Sequence, residues 1–298
     1  MRKYRFILFI VIGLICEMGC SGDSDSFQEE KPEGEKKEVV DPNFHIYLCF
    51  GQSNMGGAGE IEIEDRTVDE RFQVMSACDS DPVSLHRQPG SWYKAVPPLC
   101  SGDSKLSMID YFGRTLVKKY SDIKVGVIVV AIGGARLDAF DKQGFREYYR
   151  QTDSWQKEQM DNYGGSPYAR LVKMGQKAQQ SGVIKGILFH QGESGGKTDN
   201  WPKEVEKIYN DLLIDLNLKS ESVPLLVGEL LYQDQGGICW GMNDIIATLP
   251  NVIENAHVIS AEGCTGQDNF HFTSIGYRKL GIRYGEKMIE LNNKNLSN

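Results

Sequence analysis

A three-layer α/β fold, with a mostly parallel sheet between two layers of helices, follows from three features of this 298-residue sequence. Short apolar runs alternate with longer segments of helical periodicity, the pattern of strand–helix units. The runs are unbroken Val, Ile, Leu and Phe rather than alternating, as strands covered on both faces require. Polar, glycine-rich clusters fall directly after those runs, where an open parallel sheet places its ligands.

Five strands are predicted, at residues 45–50, 124–131, 183–189, 224–229 and 257–261. Helices are predicted at 106–119, 168–181, 202–216, 239–249 and 274–291. Apolar residues recur at three- and four-residue spacing in several of these, as Ile109, Phe112 and Leu116 do in the first. Residues 60–105 carry few clear elements but contain Trp92, Pro82, Pro89, Pro97 and Pro98. A connection that long is expected to fold over the sheet and form one side of a cleft. No internal repeat is present.

Four clusters stand at strand ends. The first strand runs into Gly51-Gln52-Ser53-Asn54, the second into Gly133-Gly134-Ala135-Arg136, and the third into His190-Gln191-Gly192-Glu193. The last is followed by Asp268-Asn269-Phe270-His271. Parallel strands share a direction, so the four converge on one sheet edge. Acyl transfer needs a nucleophile, a base, a group that orients the base, and donors for the developing oxyanion. Ser53 suits the nucleophile, on a tight turn that Gly51 permits, and its own N–H suits the oxyanion. Read alone, Ser53 is a helix N-cap. His271 suits the base, with Asp268 three residues earlier holding its tautomer. Gly133 and Gly134 offer unobstructed N–H groups, and Gln191 a side-chain amide. Glu193 has three readings: orienting Arg136, touching a substrate hydroxyl, or competing with Asp268 for His271. Arg136 reads as a partner for a sugar carboxylate or for a structural acid such as Glu193. His190 reads as a packed residue. Trp92, Trp155, Trp201 and Tyr232 are candidate sugar-stacking aromatics.

Other chemistries lack their signatures. No GxGxxG opens a helix and no Walker loop appears. The five histidines form no metal-binding pair, so no metal or other cofactor is expected. The net charge of −8 argues against a nucleic-acid partner.

The N-terminus reads as an export signal. Arg2, Lys3 and Arg5 precede an apolar run at 6–15, short of the ~20 residues that span a bilayer. Gly19-Cys20 resembles the lipobox of bacterial lipoproteins, with Glu17 where that motif has an aliphatic residue. Lipidation at Cys20 would anchor the protein without spanning. Residues 1–20 are therefore read as a signal peptide, 21–40 as a flexible tether, and 41–298 as the catalytic domain. The expected location is the periplasm or cell surface, with membrane contact only through the lipid. In an exported chain disulfides are permitted. Cys78–Cys100 is the first expected pair and Cys239–Cys264 the second, with Cys49 a buried thiol.

The blocks G-Q-S-N-M at 51–55, I-G-G at 132–134, H-Q-G-E-S at 190–194 and D-N-F-H at 268–271 resemble those of the SGNH-hydrolase superfamily. More narrowly they resemble the sialate O-acetylesterase-like group, carbohydrate esterase family 6, which includes acetylxylan esterase-like domains. The resemblance implies a flavodoxin-like sheet and metal-independent hydrolysis of acetyl esters on sugars such as sialic acid or xylan-type glycans. Ser53 matches its nucleophile, Gly134 or its neighbour the oxyanion glycine, Gln191 the third donor, and Asp268 and His271 the closing dyad. A non-catalytic carbohydrate-binding relative and a lipase or thioesterase of the wider superfamily are the competing readings.

Overall fold

The computed structural model describes residues 40–79, 85–195 and 198–297. At the centre of its sheet, β1 (Phe44–Gly51) pairs in parallel with β4 (Lys124–Ala131) and with β5 (Val183–His190). β6 (Leu225–Gly228) and β7 (Ala256–Ile259) continue in parallel beyond β5. Beyond β4 lie β2 (Phe72–Met75), parallel to it, and β3 (Trp92–Lys94), antiparallel to β2. Among the described residues the order is β3-β2-β4-β1-β5-β6-β7.

All five predicted strands are present, each end within two residues of its expected place. The sheet nevertheless has seven strands, not five. The two extra ones come from the region 60–105 and have only four and three residues. Segments so short carry no readable periodicity; β2 is a strand because it pairs with the edge of β4, and β3 because it pairs with β2.

Both faces of β1 are buried. Ile46, Leu48 and Phe50 join one core; Tyr47 and Cys49 join the other. Truncating a side chain such as Leu48 to Ala would cost roughly 2–5 kcal/mol. The Tyr47 face is covered by α2 (Met108–Lys119) and α8 (Ser274–Ser297), through Phe112, Leu116, Tyr277, Leu280 and Tyr284. The Leu48 face is covered by α5 (Pro167–Ala178) and α6 (Trp201–Asp215), through Leu171, Met174, Ile208 and Leu212. The result is the expected three layers. α2 starts two residues later than expected because Ser107 caps it. The Ser107 hydroxyl accepts the Ile109 N–H, and Asp110 returns a bond to the Ser107 N–H.

Two helices lacked a sequence signal: α3 (Phe145–Gln151) and α4 (Ser154–Asp161). The expected helix at 239–249 is broken into a 3₁₀ turn at Trp240–Met242, α7 (Asn243–Ile246) and a second 3₁₀ turn at Leu249–Asn251. Asn243 turns its amide onto both backbone groups of Leu230, and Pro250 stops further propagation.

The expected disulfides are not formed. Cys100 instead shares a 3.2 Å hydrogen bond with the Tyr163 hydroxyl. Cys264 packs in the core under α8 while Cys239 packs against the opposite one, so the sheet separates them. Cys49 is a buried thiol, as expected. The residues read as signal peptide, nearly all of those read as tether, and Cys20 lie outside the described residues. No helix among the described residues is long and apolar enough to cross a membrane.

Candidate active site

The carboxyl ends of β1, β4 and β5 lie side by side, and the site is built on them. After β1 the chain enters α1 (Ser53–Gly56). The turn is pinned from both neighbours: Gln52 donates its N–H to the His190 carbonyl, and Ile132 donates to the Gly51 carbonyl. Gly51 is required by this closeness, since a Cβ there would stand 2.1 Å from the His190 carbonyl oxygen. Ser53 is not the cap of α1; that position is Gln52, and no side-chain cap bond is made.

The Ser53 hydroxyl meets His271 instead, with Oγ 2.9 Å from Nε2. His271 Nδ1 lies 2.8 Å from Asp268 Oδ2. A carboxylate only accepts, so in the neutral imidazole Nδ1 carries the proton and Nε2 accepts from Ser53. The other Asp268 oxygen accepts the backbone N–H groups of Phe270 and His271, each at 2.7 Å. Partial burial raises the Asp268 pKa, but these N–H donors and the imidazole outweigh it and hold the carboxyl below its usual range. The turn is therefore self-closing, as the three-residue spacing implied.

Asn54 ties this turn to the segment that carries Ser53. Its side chain is wholly buried. Its Nδ2 donates to Glu193 Oε1 at 2.6 Å and to the Phe270 carbonyl at 3.0 Å, and its Oδ1 accepts from the Tyr277 hydroxyl at 2.6 Å. Among the described residues Glu193 makes no hydrogen bond or ion pair with Arg136 or His271. Its carboxyl is buried, which raises its pKa. His190 is also buried, and desolvation alone lowers its pKa to about 3. The 3.8 Å approach of His190 to Glu193 is accordingly not an ion pair at neutral pH.

Two of the expected oxyanion donors are engaged elsewhere. Trp201 donates its indole N–H to Gln191 Oε1 at 2.8 Å, which fixes the flip of that amide. Gln191 Nε2 then donates to the Ala135 and Ser194 carbonyls, at 3.2 and 3.3 Å. The Gln191 amide holds two loops together and has no proton left for a substrate. Gly133 donates its N–H to Gln159 Oε1 at 2.7 Å. The N–H groups of Ser53 and Gly134 have no hydrogen-bond partner among the described residues.

A cavity of about 360 Å³ opens beside the triad. Its wall includes Ser53, His271, Asp268, Gly133 and Gln159, with Ser101, Asp103, Ser104 and Lys105 from the end of the 60–105 region. That region does form one side of the cleft. Of the four aromatics singled out, only Trp155 comes near, about half exposed and beside Gly133 and Gly134. Trp201 is core, Trp92 packs on Phe44 at the sheet edge, and Tyr232 donates its hydroxyl to Glu229. Arg136 pairs with Asp138 at 2.9 Å and lies over the Tyr148 ring. Sequence reasoning missed Gln156, Gln159 and the exposed Phe270, and assigned Asn54 no role. Phe270 and Asn54 sit inside quoted blocks; the two glutamines lie in a helix with no apolar stripe to announce it. Among the described residues no cluster of three His, Cys, Asp or Glu side chains could hold a metal ion.

Solved structures share this fold. A protein from Arabidopsis thaliana superposes with a TM-score of 0.62 at 19% identity, covering 84% of this chain and 99% of its own. NanS gives 0.60 at 13% identity, covering 86% and 100%. A carbohydrate acetylesterase from Xanthomonas citri gives 0.57 at 14% identity, covering 80% of this chain and 55% of its own. The family described as carbohydrate esterase, sialic acid-specific acetylesterase, matches residues 43–290. That span contains the whole sheet and every residue of the triad, and the chain belongs to this family of carbohydrate esterases.

Proposed function

We propose that this esterase is a serine hydrolase that removes O-acetyl groups from a carbohydrate through an acetyl-enzyme. The reading is carried by one observation: the continuous chain Ser53–His271–Asp268, with links of 2.9 and 2.8 Å. The Ser53 oxygen attacks the acetyl carbonyl as its proton passes to His271 Nε2. The tetrahedral oxyanion is met by the N–H groups of Ser53 and Gly134. Collapse breaks the bond to the sugar oxygen, which takes the proton from His271. Water then gives a proton to His271 and attacks the acetyl carbon. Acetate leaves, and the proton returns to Ser53. Asp268 orients the imidazole and stabilises its cation.

A sugar substrate is supported by the polar cavity wall, by the exposed Trp155 beside Gly133 and Gly134, and by the exposed Phe270 beside His271. The basic start, apolar run and Cys20 of the N-terminal segment support export with a lipid anchor. Labelling with a radioactive fatty acid, lost in Cys20→Ser, would test that part. For the chemistry, acetate release is measured from acetylated xylan, O-acetyl sialic acid and a small aryl acetate. Release by the wild type and its loss in Ser53→Ala is the expected result. No release from any of the three, or activity surviving in Ser53→Ala, overturns the reading.

A further inference from the structure

Resting on that serine-esterase reading, we propose that Gln156 is a positioning residue for the oxyanion hole, aiming the Gly134 N–H at the reacting carbonyl. The loop after β4 is a four-residue turn, closed by the Ala135 N–H on the Ile132 carbonyl. Gly133 and Gly134 are its central residues, and Gly134 is left-handed with φ of 61°. The peptide between them is the middle peptide of the turn. Such a peptide, flanked by two glycines, meets little steric resistance to flipping over. A flip would carry the Gly134 N–H to the wrong face.

One hydrogen bond selects the orientation. Gln156 Nε2 donates to the Gly133 carbonyl at 3.0 Å. In a planar trans peptide the N–H points opposite to the C=O. With its carbonyl drawn toward α4, the peptide must aim the Gly134 N–H away from α4. Gln156 is itself held firmly. It is nearly fully buried, and its Oε1 accepts from the Tyr148 hydroxyl at 3.2 Å and from the Thr152 hydroxyl. One turn further along α4, Gln159 accepts the Gly133 N–H, which removes that group from the competition for the oxyanion. Two glutamines three residues apart on one short helix thus grip Gly133 from both sides. They leave Gly134 as the donor that joins Ser53.

The test compares wild type, Gln156→Leu and Thr152→Val on 4-nitrophenyl acetate, with kcat and KM measured separately. It adds inhibition by a small boronic acid, which forms a tetrahedral adduct on the nucleophile. Gln156→Leu should lower kcat roughly 10- to 100-fold with KM within about twofold, and weaken the boronic acid in parallel. Thr152→Val, which only loosens Gln156, should show the same split at a few-fold, and it decides the matter should Gln156→Leu fail to fold. A kcat unchanged in the folded variants overturns the proposal. So does a fall in kcat with boronic acid affinity intact, which would mean only fewer active molecules. An inactive wild type would overturn the esterase reading and this proposal together; an active wild type with unaltered variants overturns this proposal alone.

Discussion

Asn54 and Glu193, 139 positions apart, are joined by a 2.6 Å hydrogen bond beneath the catalytic turn. Asn54 directly follows Ser53, and the same amide holds the Phe270 carbonyl one residue before His271. Ser53 and His271 are thus referenced to one buried side chain. Removing it should cost catalysis more than binding. Asn54→Leu is expected to lower kcat roughly 10- to 100-fold with a smaller change in KM, since the imidazole loses its register with Ser53. Steady-state kinetics on an aryl acetate would check it, and a KM effect larger than the kcat effect would show a binding role instead.

The acidic partner of His271 can be separated from its neighbour. Asp268→Asn should reduce kcat by roughly 10³–10⁴, because the amide cannot stabilise the imidazolium or enforce the tautomer. Glu193→Gln keeps a carbonyl oxygen for Asn54 and should cost roughly tenfold or less. The reverse order would make Glu193 the functional acid.

Stability should fall in acid through His190. Its pKa is lowered from 6.5 to about 3 in the folded chain by burial. Between those two values the unfolded chain binds the extra proton, so each step down in pH favours unfolding. The slope from this one group is at most about 1.4 kcal/mol per pH unit. Urea titrations at pH 7, 6, 5 and 4 should show a shallower decline for His190→Gln than for the wild type. Equal slopes would place the acid sensitivity elsewhere.

Trp155 offers its exposed face beside the oxyanion turn. Trp155→Ala should raise KM for an acetylated oligosaccharide roughly two- to tenfold, and less for an aryl acetate that has no sugar ring to stack. A larger effect on the aryl acetate would argue that the residue supports Gly134 rather than the glycan.

Gly51→Ala tests the turn that presents the nucleophile. With a Cβ 2.1 Å from the His190 carbonyl oxygen, β1 and β5 must part. A loss on the order of 3 kcal/mol in unfolding free energy is expected, with activity reduced in the fraction that folds. A stable, fully active variant would show that the strand ends are softer than the geometry requires.

The sequence by itself determined the layered α/β fold and its five main strands, and singled out Ser53, Asp268 and His271 as candidates at one sheet edge. Short unbroken apolar runs rich in Val, Ile and Phe suit strands buried on both faces, and polar clusters at the ends of parallel strands converge on one edge of the sheet. A D-x-x-H turn is local and closes on itself. What only the tertiary structure decided depends on partners far apart in the chain. β2 is a strand because β4 offers an edge, and β3 because β2 then offers the next one. Gln191 looked like a free donor, but Trp201 and two carbonyls consume its amide. Gly133 and Gly134 are indistinguishable as letters; α4, a helix without a hydrophobic stripe, silences one N–H and leaves the other available. A side chain's donors are countable from its type, but whether they remain available is settled only by what folds against it.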